Sequence, residues 1–133
     1  MGGCSSKETT EVVETHDISM IDIESLENDI GDIGFVKDVL TETRVDTKKY
    51  IEKLYSSILS NDVTTIILSS HSIKGIALSM KCSKIAKISA SIEDKGREAQ
   101  KTTNLDVTLM RTSIDKLQEE VSILNKFQEK YCA

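Results

Sequence analysis

Proline and tryptophan are absent from the 133 residues, and aromatic side chains make up only 4% of them. Without proline, no position lacks a backbone donor or clashes with the turn before it, so long helices can run uninterrupted. Ile, Leu, Val, Lys, Glu and Ser fill most of the chain, and the composition points to an all-α fold. Cysteine is scarce as well: Cys4, Cys82 and Cys132 form an odd, widely spaced set that matches neither a disulfide framework nor a CxxC metal site. A reducing, cytoplasmic setting is therefore expected, with no metal bound. No apolar run approaches the roughly 20 residues that a membrane-spanning helix needs, and the N-terminus lacks the apolar stretch of a secretory signal. There is no basic patch interleaved with aromatics, and 22 acidic against 17 basic side chains leave a net charge of -5, which repels nucleic-acid backbones. GxSxG, HExxH, Walker-type and dinucleotide-binding motifs are all missing, which argues against an autonomous kinase or hydrolase.

What is present is helical periodicity over a chain long enough for one core. Residues 1–16 carry Gly2, Gly3, two serines, three threonines and several charges without a sustained stripe, and read as a flexible tail. Residues 17–133 read as a single bundle domain. Ile18, Ile21, Leu26 and Ile30 suggest a short helix ending near Gly31. Asp32 then offers an N-cap for a long helix striped by Val36, Leu40, Thr43, Thr47, Tyr50, Ile51, Leu54 and Ile58. Asn61-Asp62 breaks the pattern, and a third helix follows in which Val63, Ile66, Ser70 and Ala77 share a face, with Ile67 and Ile73 on its flanks. The phase shifts around Ser79-Met80-Lys81, and Ile85, Ile88 and Ile92, with Ala86 and Ala99 beside them, mark a fourth helix to about Gln100. Thr103 with Asp106 resembles a capping box opening a fifth, striped by Met110, Ile114, Leu117, Val121, Leu124 and Gln128. Short polar links favour antiparallel neighbours, hence an up-down four-helix bundle with the short N-terminal helix as a cap. The irregular three- and four-residue steps and the breaks at Gly31, Asn61 and Lys81 disfavour a coiled-coil adaptor.

One histidine stands out. At 100° per residue His71 falls well away from the centre of its helix's apolar face and should meet solvent. Gly75 lies one turn further along the same surface, where an interior glycine costs a helix roughly 1 kcal/mol relative to alanine; it removes the side chain that would crowd the imidazole. Lys74 can place an ammonium beside the same spot. Neutral imidazole is a nucleophile near physiological pH and needs no triad-style base, and its outward nitrogen, Nε2, is the expected acceptor. Ile67, Leu68 and Leu78 are expected to form an apolar rim that a partner could cover.

The run His71-Ser72-Ile73-Lys74-Gly75 resembles the HxxKG motif of histidine-containing phosphotransfer domains. The likeness continues through Ala77, Ser79, Ile85, Ala86, Ile88, Ile92 and the Gly96-Arg97 step seen in fungal-type members, and so covers the third and fourth helices. The second helix matches by length and stripe, and the last by pattern. Ile76 stands where the family has a small residue, and Lys81 where a glycine is usual in the turn. If Lys81 takes a left-handed backbone it carries a modest strain, whereas a shifted helix boundary would avoid it. The resemblance implies a phosphorelay shuttle in two-component signalling. His71 would accept a phosphoryl group from the aspartyl phosphate of a receiver domain and return it to the same or another receiver, the partners being hybrid histidine kinases and response regulators. Lys74 would stabilise charge and Gly75 supply clearance. The chain would be a monomeric phosphoryl carrier with no cofactor of its own, Mg²⁺ being held by the receiver. The alternative is a non-catalytic helical module that binds receivers or other partners without transfer.

Arg97 either attracts a receiver's acidic pocket or simply suits the end of its helix. His16 has no ligand-spaced companion, and Cys82 and Cys132 have no sequence-near base. Met1-Gly2-Gly3-Cys4-Ser5-Ser6 fits the pattern for myristoylation at Gly2, and palmitoylation of Cys4 would add the second chain that stable membrane-surface attachment requires. The competing reading of this segment is a plain, unmodified start.

Overall fold

The computed structural model describes residues 33–132, with side chains over 34–130. The tail, the short helix expected before Gly31, the Asp32 cap, Gly2, Cys4 and His16 lie outside the described residues, as does the side chain of Cys132. Four helices make up what is described: α1 (Ile33–Ser60), α2 (Val63–Ser79), α3 (Ser83–Thr102) and α4 (Val107–Cys132). Among the described residues there is no strand, and the fold is an all-α bundle as expected. Links at 61–62, 80–82 and 103–106 are too short for anything but reversal, so successive helices run antiparallel. Each helix packs on its sequence neighbours and α1 closes the ring against α4, without close backbone approach across the diagonals.

The core is built from the stripes. Val36, Leu40, Ile51, Leu54 and Ile58 of α1, Ile66, Ile73 and Ala77 of α2, Ile85 and Ile92 of α3, and Met110, Ile114, Leu117, Val121 and Leu124 of α4 are all buried. Thr47 and Gln128 complete the α1 and α4 stripes as buried polar side chains.

The same device stops each of the first three helices. Asn61, Lys81 and Thr103 have φ of 59°, 59° and 55°, and after each of them the next N–H returns to a carbonyl five residues back: Asp62 to Ser57, Cys82 to Ala77, Asn104 to Ala99. These are Schellman-type closures, in which a left-handed residue turns the chain out of the helix and satisfies its last carbonyls. Lys81 thus adopts the strained conformation, and the turn keeps the geometry a glycine would give it.

The next helices start on aspartates. Asp62 accepts from the Thr65 N–H at 3.1 Å and from its hydroxyl at 2.7 Å, and these bonds lower its carboxyl pKa. Asp106 accepts from the Leu109 N–H at 3.0 Å, and its carbonyl takes the Met110 N–H. The capping box expected from Thr103 is corrected here: Thr103 closes α3, and Asp106 alone caps α4.

Several buried positions of α2 and α3 are occupied by small residues. Ser69, Ser70, Ser89, Gly96 and Ala99 are buried, and Ser70 turns its hydroxyl back onto the Ile66 carbonyl at 2.7 Å. A Cβ on Gly96 would stand 2.9 Å from Ile67 Cγ1, so this glycine is where α3 settles against α2.

Candidate functional site

His71 lies at the middle of α2, on the outer seam between α2 and α3, with its side chain 63% exposed. Two residues of α3, one turn apart, reach the same seam: Glu93 and Arg97. Glu93 is the hub. Its carboxylate takes the His71 ring at Nδ1 (3.2 Å to Oε2), the Lys74 ammonium (2.9 Å to Oε1) and the Arg97 guanidinium (2.7 Å to Oε2). Although Glu93 is only 5% exposed, it sits directly beneath the three basic side chains that cover it. Burial alone would push its carboxyl up; hydrogen bonds from Arg97 and Lys74, the Lys74 charge and the bond from His71 together outweigh that and hold it down at about 2.

This contact orients the imidazole. A carboxylate can only accept, so the ring nitrogen facing Glu93 is the one that carries hydrogen, and the neutral ring keeps its lone pair on Nε2. Nε2 has no protein partner among the described residues. Among the described residues the surface around it is open. Gly75 is exposed, and a Cβ built there would meet nothing within 4 Å. No packing among the described residues requires this glycine, which separates it from Gly96, where an added Cβ would press on the Ile67 side chain.

Leu68 and Leu78, on the same side of α2, are 62% and 59% exposed. Ile67 is not part of that rim. It is 6% exposed and packs against Gly96, because the buried arc of α2 is wider than its apolar stripe and takes in the flank facing α3. Ile76 packs against the core edge, away from the ring. His71, Lys74, Gly75 and Arg97 are thus brought together, Leu68 and Leu78 flank them, and Ile67 belongs to the interior.

Glu93 is the residue that the sequence reading misses. A signal for it exists: it interrupts an inward register of Ile85, Ser89, Ile92 and Gly96 with a charge, and Arg97 follows four residues later. An acid in a core register with a base one turn on implies a buried ion pair. That a lysine and a histidine from another helix would join it cannot be read from spacing.

Chemically, the cluster offers an exposed nitrogen nucleophile, two fixed cations beside it and a carboxylate that balances charge on the ring. Among the described residues no group of three or more His, Cys, Asp or Glu side chains is placed to hold a metal ion, and no helix is long and apolar enough to cross a membrane. No family profile, no curated protein and no solved structure matches the chain.

Proposed function

We propose that this chain is a phosphorelay intermediate that carries a phosphoryl group on Nε2 of His71 between receiver domains. The observation that carries the reading is the imidazole itself: exposed, with Nδ1 turned onto Glu93 and open space over Gly75. The HxxKG resemblance supplies the reaction, and the geometry supports it.

In the forward step the Nε2 lone pair attacks the phosphorus of a receiver's aspartyl phosphate. The N–P bond forms, the P–O bond to the aspartyl oxygen breaks, and the receiver regains its carboxylate. No proton has to leave the histidine: the hydrogen on Nδ1 stays, and the ring becomes a phosphorylated imidazolium. Glu93 faces that new positive charge at 3.2 Å, so its carboxylate is stabilising just where charge develops. Lys74 and Arg97, tethered by the same carboxylate, keep their remaining donors close to the incoming phosphoryl oxygens. The receiver contributes Mg²⁺ and its acidic pocket, while Leu68 and Leu78 offer the apolar contact that excludes water from the transfer. The reverse step delivers the group to a second receiver.

The departures from the family pattern leave this face alone. Ile76 is turned to the core, and Lys81 completes the same turn a glycine would, so neither favours a module that binds without transfer. As a cytoplasmic monomer the carrier would reach the membrane surface only through acylation of Gly2 and Cys4, a proposal that incorporation of a tagged myristate would test.

The transfer assay is direct. Incubation with a phosphorylated receiver should label the chain with an acid-labile, base-stable phosphate, and His71→Gln should abolish labelling. Labelling that survives in the variant rejects His71 as acceptor; receiver binding without any labelling of the wild type supports the non-catalytic module.

A further inference from the structure

On the adjacent face of the bundle, the seam between α3 and α4 holds a second concentration of positive charge. A groove of about 270 Å³ is lined by Lys87, Ile88, Ser91 and Lys95 from α3 and by Ser113 and Lys116 from α4. Lys84, one turn before Lys87, is paired with Glu120 of α4 at 3.1 Å. The three lysines of the groove have no carboxylate within ion-pair distance among the described residues, and no acid lines it. Asp115, next to Lys116, is turned to α1, where it accepts from the Tyr55 hydroxyl at 2.6 Å. On the His71 face, by contrast, the basic side chains share the buried Glu93.

The hydrogen bonds show what the groove can hold. Lys95 donates to the oxygen of Ser91, another lining residue, at 2.7 Å, which leaves the ammonium two further protons and the Ser91 O–H free to donate. Ser113 donates its hydrogen to the Leu109 carbonyl at 3.2 Å. Three lysines and the Ser91 hydroxyl therefore line a space that Ile88 also borders, and Glu120, one turn beyond Lys116, is already engaged by Lys84. Among the described residues no carboxylate lines the groove.

We propose that this α3–α4 groove binds a compact phosphorylated small molecule bearing two phosphate groups, each phosphate bridging two of Lys87, Lys95 and Lys116. Its volume is close to the lower limit of about 300 Å³ for small-molecule sites, which suits a diphosphate better than a nucleotide. All of these groups lie outside the His71 cluster, so binding here is independent of phosphotransfer.

The test is a backbone amide NMR titration of the full chain with inorganic pyrophosphate. Saturable shifts should centre on residues 87–95 and 113–116 and spare 71–75. Lys87→Gln combined with Lys116→Gln should weaken binding by about tenfold, and raising the salt should weaken it further. Ser91→Ala, which removes one hydroxyl and no charge, should give a smaller loss. Shifts that never saturate, shifts centred on Lys74 and Arg97, or unchanged affinity in the double variant would each overturn the proposal. So would binding only to vesicles containing phosphorylated inositol lipid, with none to free pyrophosphate, since that assigns the groove to a membrane surface.

Discussion

Gly75 and Gly96 are both interior helical glycines, and their surroundings predict opposite responses to the same substitution. At Gly75 an added methyl meets nothing within 4 Å, so Gly75→Ala should stabilise the fold by about 0.5–1 kcal/mol in a urea titration, the usual helix preference for alanine. At Gly96 the methyl falls 2.9 Å from Ile67 Cγ1 and 3.5 Å from Ile66 Cγ2, so Gly96→Ala should cost about 1–3 kcal/mol as α2 and α3 are pushed apart. The glycine without a packing neighbour is the one a turn from His71, the acceptor proposed above. Gly75→Gln should therefore fold normally and yet block transfer from a receiver; full transfer in that variant would deprive Gly75 of its role. Glu93 makes a prediction in pH. Its folded carboxyl is held at about 2 against an ordinary 4.5, so the folded chain binds fewer protons than the unfolded chain between those values. The stabilisation is complete above about pH 4.5 and drains away as pH falls toward about 2. Glu93→Gln should be destabilised at neutral pH and converge on the wild type in acid. A constant gap across that range would mean that the ion cluster contributes nothing specific.

The helices themselves are joined by turns that carry some strain. Three left-handed positions occupied by asparagine, lysine and threonine do work that glycine does without a steric penalty, and the β-branched threonine suits it least. Thr103→Gly should raise stability by about 1 kcal/mol, visible as a shift in the urea midpoint without a change in slope. A loss would show that the Thr103 hydroxyl bond to the Thr102 carbonyl outweighs the backbone term. The Thr103–Asp106 spacing misleads for a physical reason. Ser or Thr three residues before an acid is the pattern of one helix start, but the same residues also serve an ending followed by a start. Only the dihedral at Thr103 tells the two apart.

In the assembled bundle, antiparallel order puts α2 between α1 and α3 and leaves one side of α2 in water. That side carries Leu68, His71, Gly75 and Leu78, two exposed leucines bracketing the imidazole. Replacing both leucines by serine should cost no more than about 1 kcal/mol, since neither contributes to the core. If receivers are the partners, as proposed, the same change should speed dissociation of a bound receiver by about tenfold, read by surface binding kinetics. Unchanged dissociation would place the docking surface elsewhere. The pair of measurements separates a docking residue from a structural one, because a core leucine would fail the first test.

Periodicity and composition were enough to determine the four described helices and most of their inward faces, because a 3.6-residue repeat of apolar side chains has to bury one side wherever it is placed. They also sufficed for the exposure of His71 and for the neighbourhood of Lys74 and Gly75, which lie within one turn of it on the same helix. Contacts between helices are another matter, since they depend on rotation and register that no single stripe contains. Assembly put Ile67 into the α2–α3 seam instead of the rim, and it gathered Glu93, Arg97, Lys74 and His71 from two helices around one buried carboxylate. The lysine groove between α3 and α4 likewise exists only because two separate polar faces meet.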